Sequence, residues 1–161
     1  MKIFLAGATG AIGRWLVPRL VEAGYQVTAI TRSEAKLAEL RNVGAQPVLC
    51  DVFDAGRLGA VVAQAEPHAM INQLTDLPRS LKPRKLGEYH AANNRVRREG
   101  TQNLLSAALG VGVRRFVVQG AAYWYAPSGG PVKTEEAPLY LNAPPPIGPA
   151  VHDPTPGIWS S

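Results

Sequence analysis

The chain predicts an α/β fold, a doubly wound parallel sheet of about five strands in the order 3-2-1-4-5, with a proline-rich irregular tail after it. Three observations carry that expectation. Short apolar runs alternate with amphipathic stretches along residues 2–119, and glycines close the helical stretches. Nine of the 14 prolines then fall between Pro127 and Pro156. Strands that alternate with helices run parallel, because each helix carries the chain back across the sheet.

The first strand is "KIFLA" (2–6), an apolar run ended by Gly7. Residues 11–23 place Ile12, Leu16, Val17, Leu20 and Val21 at three-to-four spacing, which predicts a helix with one apolar stripe. Pro18 removes the hydrogen bond to the Arg14 carbonyl, so a kink is expected there, and Gly24 stops the helix. Residues 25–30 form the second strand, and Ser33 is placed to cap a helix over 34–42. Gly44 ends that helix. The third strand covers 46–51, a short helix 54–65, and the fourth strand 68–74. A long helix is expected from about Tyr89 to Leu109, with Val96, Leu104, Leu105 and Ala108 inward, followed by a fifth strand at 114–119.

From these elements residues 1–126 read as one α/β domain and 127–161 as an extended tail. The run Pro144, Pro145, Pro146 sustains neither a helix nor a central strand. Losing one partner of the fifth strand would leave its edge uncovered, so marginal stability or self-association through that edge is expected unless the tail folds back.

Composition narrows the functional classes. Hydrophobic residues make up 46% and charged residues 18%, the balance of a globular chain with a real core. No apolar run nears the roughly 20 residues of a membrane span, and the opening "MKIFLAGATG" is cut by glycine too early for a signal peptide. No membrane partner is expected. A lone cysteine, Cys50, rules out an internal disulfide, fits a reducing cytoplasm and reads as a small buried side chain. His68, His90 and His152 lack metal-ligand spacing, so no metal is expected, and Glu135–Glu136 reads as a solvated pair. The net charge of +5 comes with basic clusters at 82–85 and 95–98. They read as a solvated loop and helix face, since a nucleic-acid surface would add interleaved aromatics or a recognisable module.

The residues that point to chemistry sit at the strand ends. Gly7, Gly10 and Gly13 form G-x-x-G-x-x-G directly after the first strand, with Thr9, Ala11 and Ile12 between them. The first glycine permits a sharp turn, the second lets main chain approach a phosphate, and the third lets the helix pack close. The helix then turns its unpaired N–H groups toward a diphosphate, as in Rossmann-type dinucleotide sites. At the end of the second strand, where an NAD site usually carries an acid for the ribose, the chain reads Thr31, Arg32, Ser33. A guanidinium and a hydroxyl suit a 2′-phosphate, with Lys36 one turn further, so NADP(H) is preferred over NAD(H). Asp51 closes the third strand, where its carboxylate can accept from the adenine amino group. Gln73, Leu74 and Thr75 end the fourth strand and should line the nicotinamide half.

Taken together, "GATGAIG", "TRS", "CDV", "REGTQNLLSAA" and "RRFVVQGAAYWYA" resemble an extended or atypical short-chain dehydrogenase/reductase, and more narrowly the NAD(P)-dependent epimerase/dehydratase group. The resemblance covers about residues 1–140. It implies that Thr9, Gly10 and Ile12 contact the diphosphate, that Arg32 and Ser33 meet the 2′-phosphate, and that Asp51 and Val52 meet adenine. It also implies a nucleotide-sugar or other small carbonyl substrate. Such relatives carry a serine or threonine after the fifth strand and a Tyr-x-x-x-Lys pair, the tyrosine moving the proton. Here the strand runs into Gln119, Gly120, Ala121, Ala122, and Tyr123, Tyr125 and Tyr140 are followed four residues on by Pro127, Gly129 and Pro144.

No catalytic residue is therefore assigned. The chain is expected to be the cofactor part of an epimerase/dehydratase-type oxidoreductase, truncated and incompetent for hydride transfer by itself. A non-catalytic NADP(H)-binding sensor or scaffold is the alternative, and a basic nucleic-acid-binding protein a second. Tyr123, Trp124 and Tyr125 are expected either to pack on the sheet end or to cover the nicotinamide pocket.

Overall fold

Five parallel strands form one sheet in the order β3-β2-β1-β4-β5. They are β1 (Lys2–Ala6), β2 (Gln26–Thr31), β3 (Gln46–Leu49), β4 (Ala69–Asn72) and β5 (Arg115–Val118). Between them run α1 (Gly13–Glu22), α2 (Leu37–Asn42), α3 (Ala55–Ala65), α4 (Leu86–Arg95) and α5 (Thr101–Gly110). The computed structural model describes residues 1–78, 80, 82–120, 125–130 and 132–140. The expected topology is the one found.

Side chains alternate across β1, and the two faces of the sheet become two cores. Phe4 and Ala6 join Met70, Leu58, Val62 and Leu104 beneath α3 and α5. Leu5 joins Val17, Val27, Ala29 and Leu40 beneath α1 and α2. Phe4, Leu5, Val17, Leu58 and Val62 are fully buried, so β1 lies at the centre of the molecule. That burial fixes the height of its carboxyl end, from which the glycine turn springs.

Several elements depart from their expected bounds for local reasons. Ile12 precedes α1 instead of joining its stripe, and its side chain is 46% exposed. The helix runs through Pro18 without a break. Residues 34–42 start as a 3-10 turn (Glu34–Lys36) before α2, and Ser33 at its head makes no side-chain cap bond. At α3 the cap is Asp54, whose Oδ1 accepts from the Arg57 amide at 3.0 Å. The expected long helix is two helices joined by a π-helical turn, Val96–Gly100, with Val96, Leu104 and Ala108 buried as expected and Leu105 half-buried.

β4 stops at Asn72 because the Asn72 side chain takes over the bonding. Its Oδ1 accepts from the Leu74 amide at 2.9 Å, and its Nδ2 donates to Thr101 Oγ1 at 2.9 Å. At the other edge, β5 pairs only with β4 among the described residues, and Val117 and Val118 are 51% and 36% exposed. No helix among the described residues is long and apolar enough to cross a membrane.

The described residues from Gly120 onward belong to a second unit, apart from Met1–Gln119. Within it Tyr125 and Leu139 form an antiparallel bridge, and the Ala126 amide donates to the Pro138 carbonyl at 2.8 Å. The readings made for Ala121–Trp124, for the triple proline and for His152 lie outside the described residues.

Candidate nucleotide-binding site

Because all five strands are parallel, the segments that leave their carboxyl ends gather along one rim of the sheet. The glycine turn leaves β1, Thr31–Ser33 close β2, Asp51 and Val52 follow β3, and Gln73–Thr75 follow β4.

Each glycine of the turn has a measurable reason. Gly7 has φ 86°, and a Cβ there would lie 2.6 Å from the main-chain carbon and oxygen of Gln73. The turn thus passes in contact with the strand-β4 exit. The Gly10 amide donates to the Gly7 carbonyl at 3.1 Å and closes the loop. A Cβ on Gly13 would lie 2.2 Å from that same carbonyl oxygen, so α1 begins hard against the loop. Among the described residues the amides of Ala11, Ile12 and Gly13 have no main-chain acceptor. No acidic side chain occupies the first turn of α1, and Ile12 supplies no cap. The helix therefore presents unspent N–H groups and its positive end at the crevice.

The end of β2 carries the cationic part of the site. Thr31 is buried, and its Oγ1 accepts from the Ser33 amide at 3.1 Å. Arg32 and Ser33 are exposed. Arg32 makes no side-chain hydrogen bond or ion pair among the described residues. Lys36 differs, because its ammonium is paired with Glu39.

Beyond β3, Asp51 is exposed and its Oδ1 accepts from the Phe53 amide at 3.0 Å, while Val52 is buried. An open cleft of about 250 Å³ lies here, lined by Arg32, Leu49, Cys50, Asp51, Asp54 and Arg57. Burial pushes the Cys50 thiol above its usual range, with Arg57 pulling the other way and Asp54 and Asp51 adding to the rise. The thiol stays neutral at pH 7, as suits a packing residue.

The β4 exit forms the other wall. Gln73 is half-buried, with its Oε1 sealed from solvent and unpartnered, and Thr75 is exposed. The helical rod of α4, the π-turn and α5 braces these exits. Asn103 Nδ2 donates to the Val52 carbonyl at 2.9 Å, Asn93 Oδ1 accepts from the Asp76 amide at 3.1 Å, and Arg97 Nη2 donates to the Gln119 carbonyl at 2.8 Å. A Cβ on Gly100 would lie 3.1 Å from Val52 Cγ1.

None of these braces was read from the sequence. Their signal is a run of polar side chains along a helix that otherwise reads as amphipathic. Arg57 was missed as well, although a cation in the first turn of a helix opposes the helix dipole and so advertises another partner.

Part of each basic cluster is paired locally. Lys85 pairs with Glu88, Arg95 pairs with Glu99 at 2.8 Å, and the Arg95 guanidinium lies 4.2 Å from the Phe53 ring centroid. His68 accepts through Nδ1 from the Lys2 amide, a structural role. Among the described residues no three His, Cys, Asp or Glu side chains converge.

A family model described as NAD(P)H-binding matches residues 7–143, which begins at the first glycine of the turn. The chain belongs to the NAD(P)H-binding family. A 3-diazoavenalumate denitrifying reductase from a Streptomyces species is 40% identical over 146 residues, 91% of this chain and 46% of that protein. Cinnamoyl-CoA reductase 1 from Oryza sativa subsp. japonica is 33% identical over 71% of this chain and 32% of its own length. Among solved structures, a UDP-glucose 4-epimerase from Bifidobacterium longum in complex with NAD+ and UDP superposes with a TM-score of 0.73. It is 20% identical and covers 93% of this chain and 45% of its own. At that identity the likeness is one of fold. This NAD(P)H-binding chain thus spans less than half the length of these relatives.

Proposed function

We propose that the chain holds NADP(H) in preference to NAD(H), as the cofactor-binding part of a reductase. The observation that carries the preference is the end of β2, where Arg32 is exposed without a partner among the described residues and Thr31–Ser33 contain no carboxylate. The glycine turn fits a dinucleotide on its own evidence. Only hydrogen fits at Gly7 and Gly13, and the open amides of Ala11, Ile12 and Gly13 match a diphosphate.

In this reading the loop Gly7–Gly13, including Thr9, Gly10, Ala11 and Ile12, holds the diphosphate. Arg32 and Ser33 take the 2′-phosphate. Asp51 and Val52 bound the adenine, and Gln73, Leu74 and Thr75 line the nicotinamide half. The bound coenzyme supplies the hydride. The chain's own residues bind and orient it, while the sequence carries no Tyr-x-x-x-Lys pair to move a proton. The names of the two reductase relatives support a reduced coenzyme and a reducible small-molecule substrate, with a carbonyl compound or nucleotide-sugar as the class to try first.

A titration followed by tryptophan fluorescence tests the binding, since Trp15 stands 61% exposed in the first turn of α1. NADPH is expected to bind at least about tenfold tighter than NADH, the worth of one charge-assisted contact. Equal affinities would defeat the assignment of Arg32. When the purified chain is mixed with NADPH and a panel of aldehydes, ketones and UDP-sugars, no loss of NADPH absorbance is expected. Steady oxidation would show that the chain carries a proton relay of its own.

A further inference from the structure

We infer that Arg57 forms, with Arg32, a two-guanidinium seat for the phosphomonoester on the adenosine half of the coenzyme. The inference rests on the NADP(H) reading and names a second residue that sets the preference.

The position of Arg57 needs a reason, because the third residue of α3 stands at the positive end of the helix. What fixes it is the Leu49 carbonyl at the end of β3, which accepts from Nε at 3.0 Å and from Nη2 at 2.9 Å. These two bonds pin the plane of the guanidinium and leave three of its five N–H donors unspent. Among the described residues Arg57 has no ion-pair partner, so the charge is held in place without being neutralised.

The anchor also places that charge beside Arg32. Leu49 pairs in register with Thr31, the residue before Arg32, and the Cys50 amide donates to the Thr31 carbonyl at 3.0 Å. Neighbouring strands stand about 4.8 Å apart, and both arginines line the same cleft. Two carboxylates share that cleft, but each is turned to a main-chain amide: Asp51 accepts from Phe53, and Asp54 accepts from Arg57 itself. A dianionic phosphate is the group that two forked cations recognise best. A strap that only ties the β3 exit to α3, or a guanidinium stacked on the purine, would act alike on phosphorylated and unphosphorylated coenzyme.

The full-length chain and its Arg57→Gln, Arg57→Lys and Arg32→Gln variants are titrated with NADPH and NADH, with thermal melts alongside. Arg57→Gln is expected to weaken NADPH binding about tenfold and to move NADH less than about twofold. Arg32→Gln is expected to show the same split. If Arg57→Gln unfolds the chain, Arg57→Lys keeps the charge without the fork, and a severalfold loss for NADPH alone is expected. An equal loss for both coenzymes, or none for NADPH, overturns the role of Arg57 while the preference of the unmutated chain stands. An unmutated chain with no preference overturns the NADP(H) reading and this inference with it.

Discussion

Gly13→Ala is expected to destabilise the domain by about 3 kcal/mol, the upper part of the usual range for overpacking, and to weaken dinucleotide binding with it. The added methyl would lie 2.2 Å from the Gly7 carbonyl oxygen and 2.6 Å from the Ala8 carbonyl carbon and oxygen. These are main-chain atoms and no rotamer change removes them. Either α1 withdraws from β1, uncovering fully buried Val17, or the turn opens and carries the amides of Ala11 and Ile12 away. Gly59→Ala is the control. It lies within α3 with nothing inside 4 Å of its would-be Cβ, so it is expected to gain about 0.5–1 kcal/mol from helix propensity. Urea unfolding of both variants reads the contrast, and a Gly13→Ala midpoint equal to that of the unmutated chain would mean that the close approach does not exist in solution.

Arg32→Asp is expected to reverse the coenzyme preference, moving the ratio of NADPH to NADH dissociation constants by about a hundredfold or more. Loss of the guanidinium removes about 1.5–3 kcal/mol of charge-assisted bonding. The new carboxylate repels a 2′-phosphate and accepts from the ribose hydroxyls of the unphosphorylated coenzyme. Arg32 has no partner among the described residues, so the melting curve should hardly move. An unchanged ratio in a folded variant would remove Arg32 from the site.

Much of the fold was legible because parallel strands and covering helices leave simple traces. The run 3–6 is apolar throughout because β1 is buried on both faces, and the glycine triplet marks where loop and helix touch. Legibility failed where a side chain replaces a main-chain bond. Asn72 ends β4 two residues early by taking the Leu74 amide, and nothing in "INQLT" distinguishes that asparagine from one that continues the strand. The π-turn is hidden for a similar reason. It ends at Gly100, which packs close to Val52, a residue 48 positions away in sequence. At the candidate site, the strand-end residues Arg32, Asp51 and Gln73 were readable from their distance to the first glycine, whereas Arg57, Asn93, Arg97 and Asn103 act on carbonyls or amides of other segments and carry no such spacing.

That bracing has a consequence for how a ligand is received. One helical rod holds the exits of β3, β4 and β5 through side-chain bonds to Val52, Asn72, Asp76 and Gln119. The crevice wall is consequently preorganised, and an arriving dinucleotide need not freeze it into shape. In the proposed binding mode ordering entropy falls mainly on the exposed arms of Arg32 and Ser33, which would confine adaptation to the adenosine end and leave the reactive end stiff.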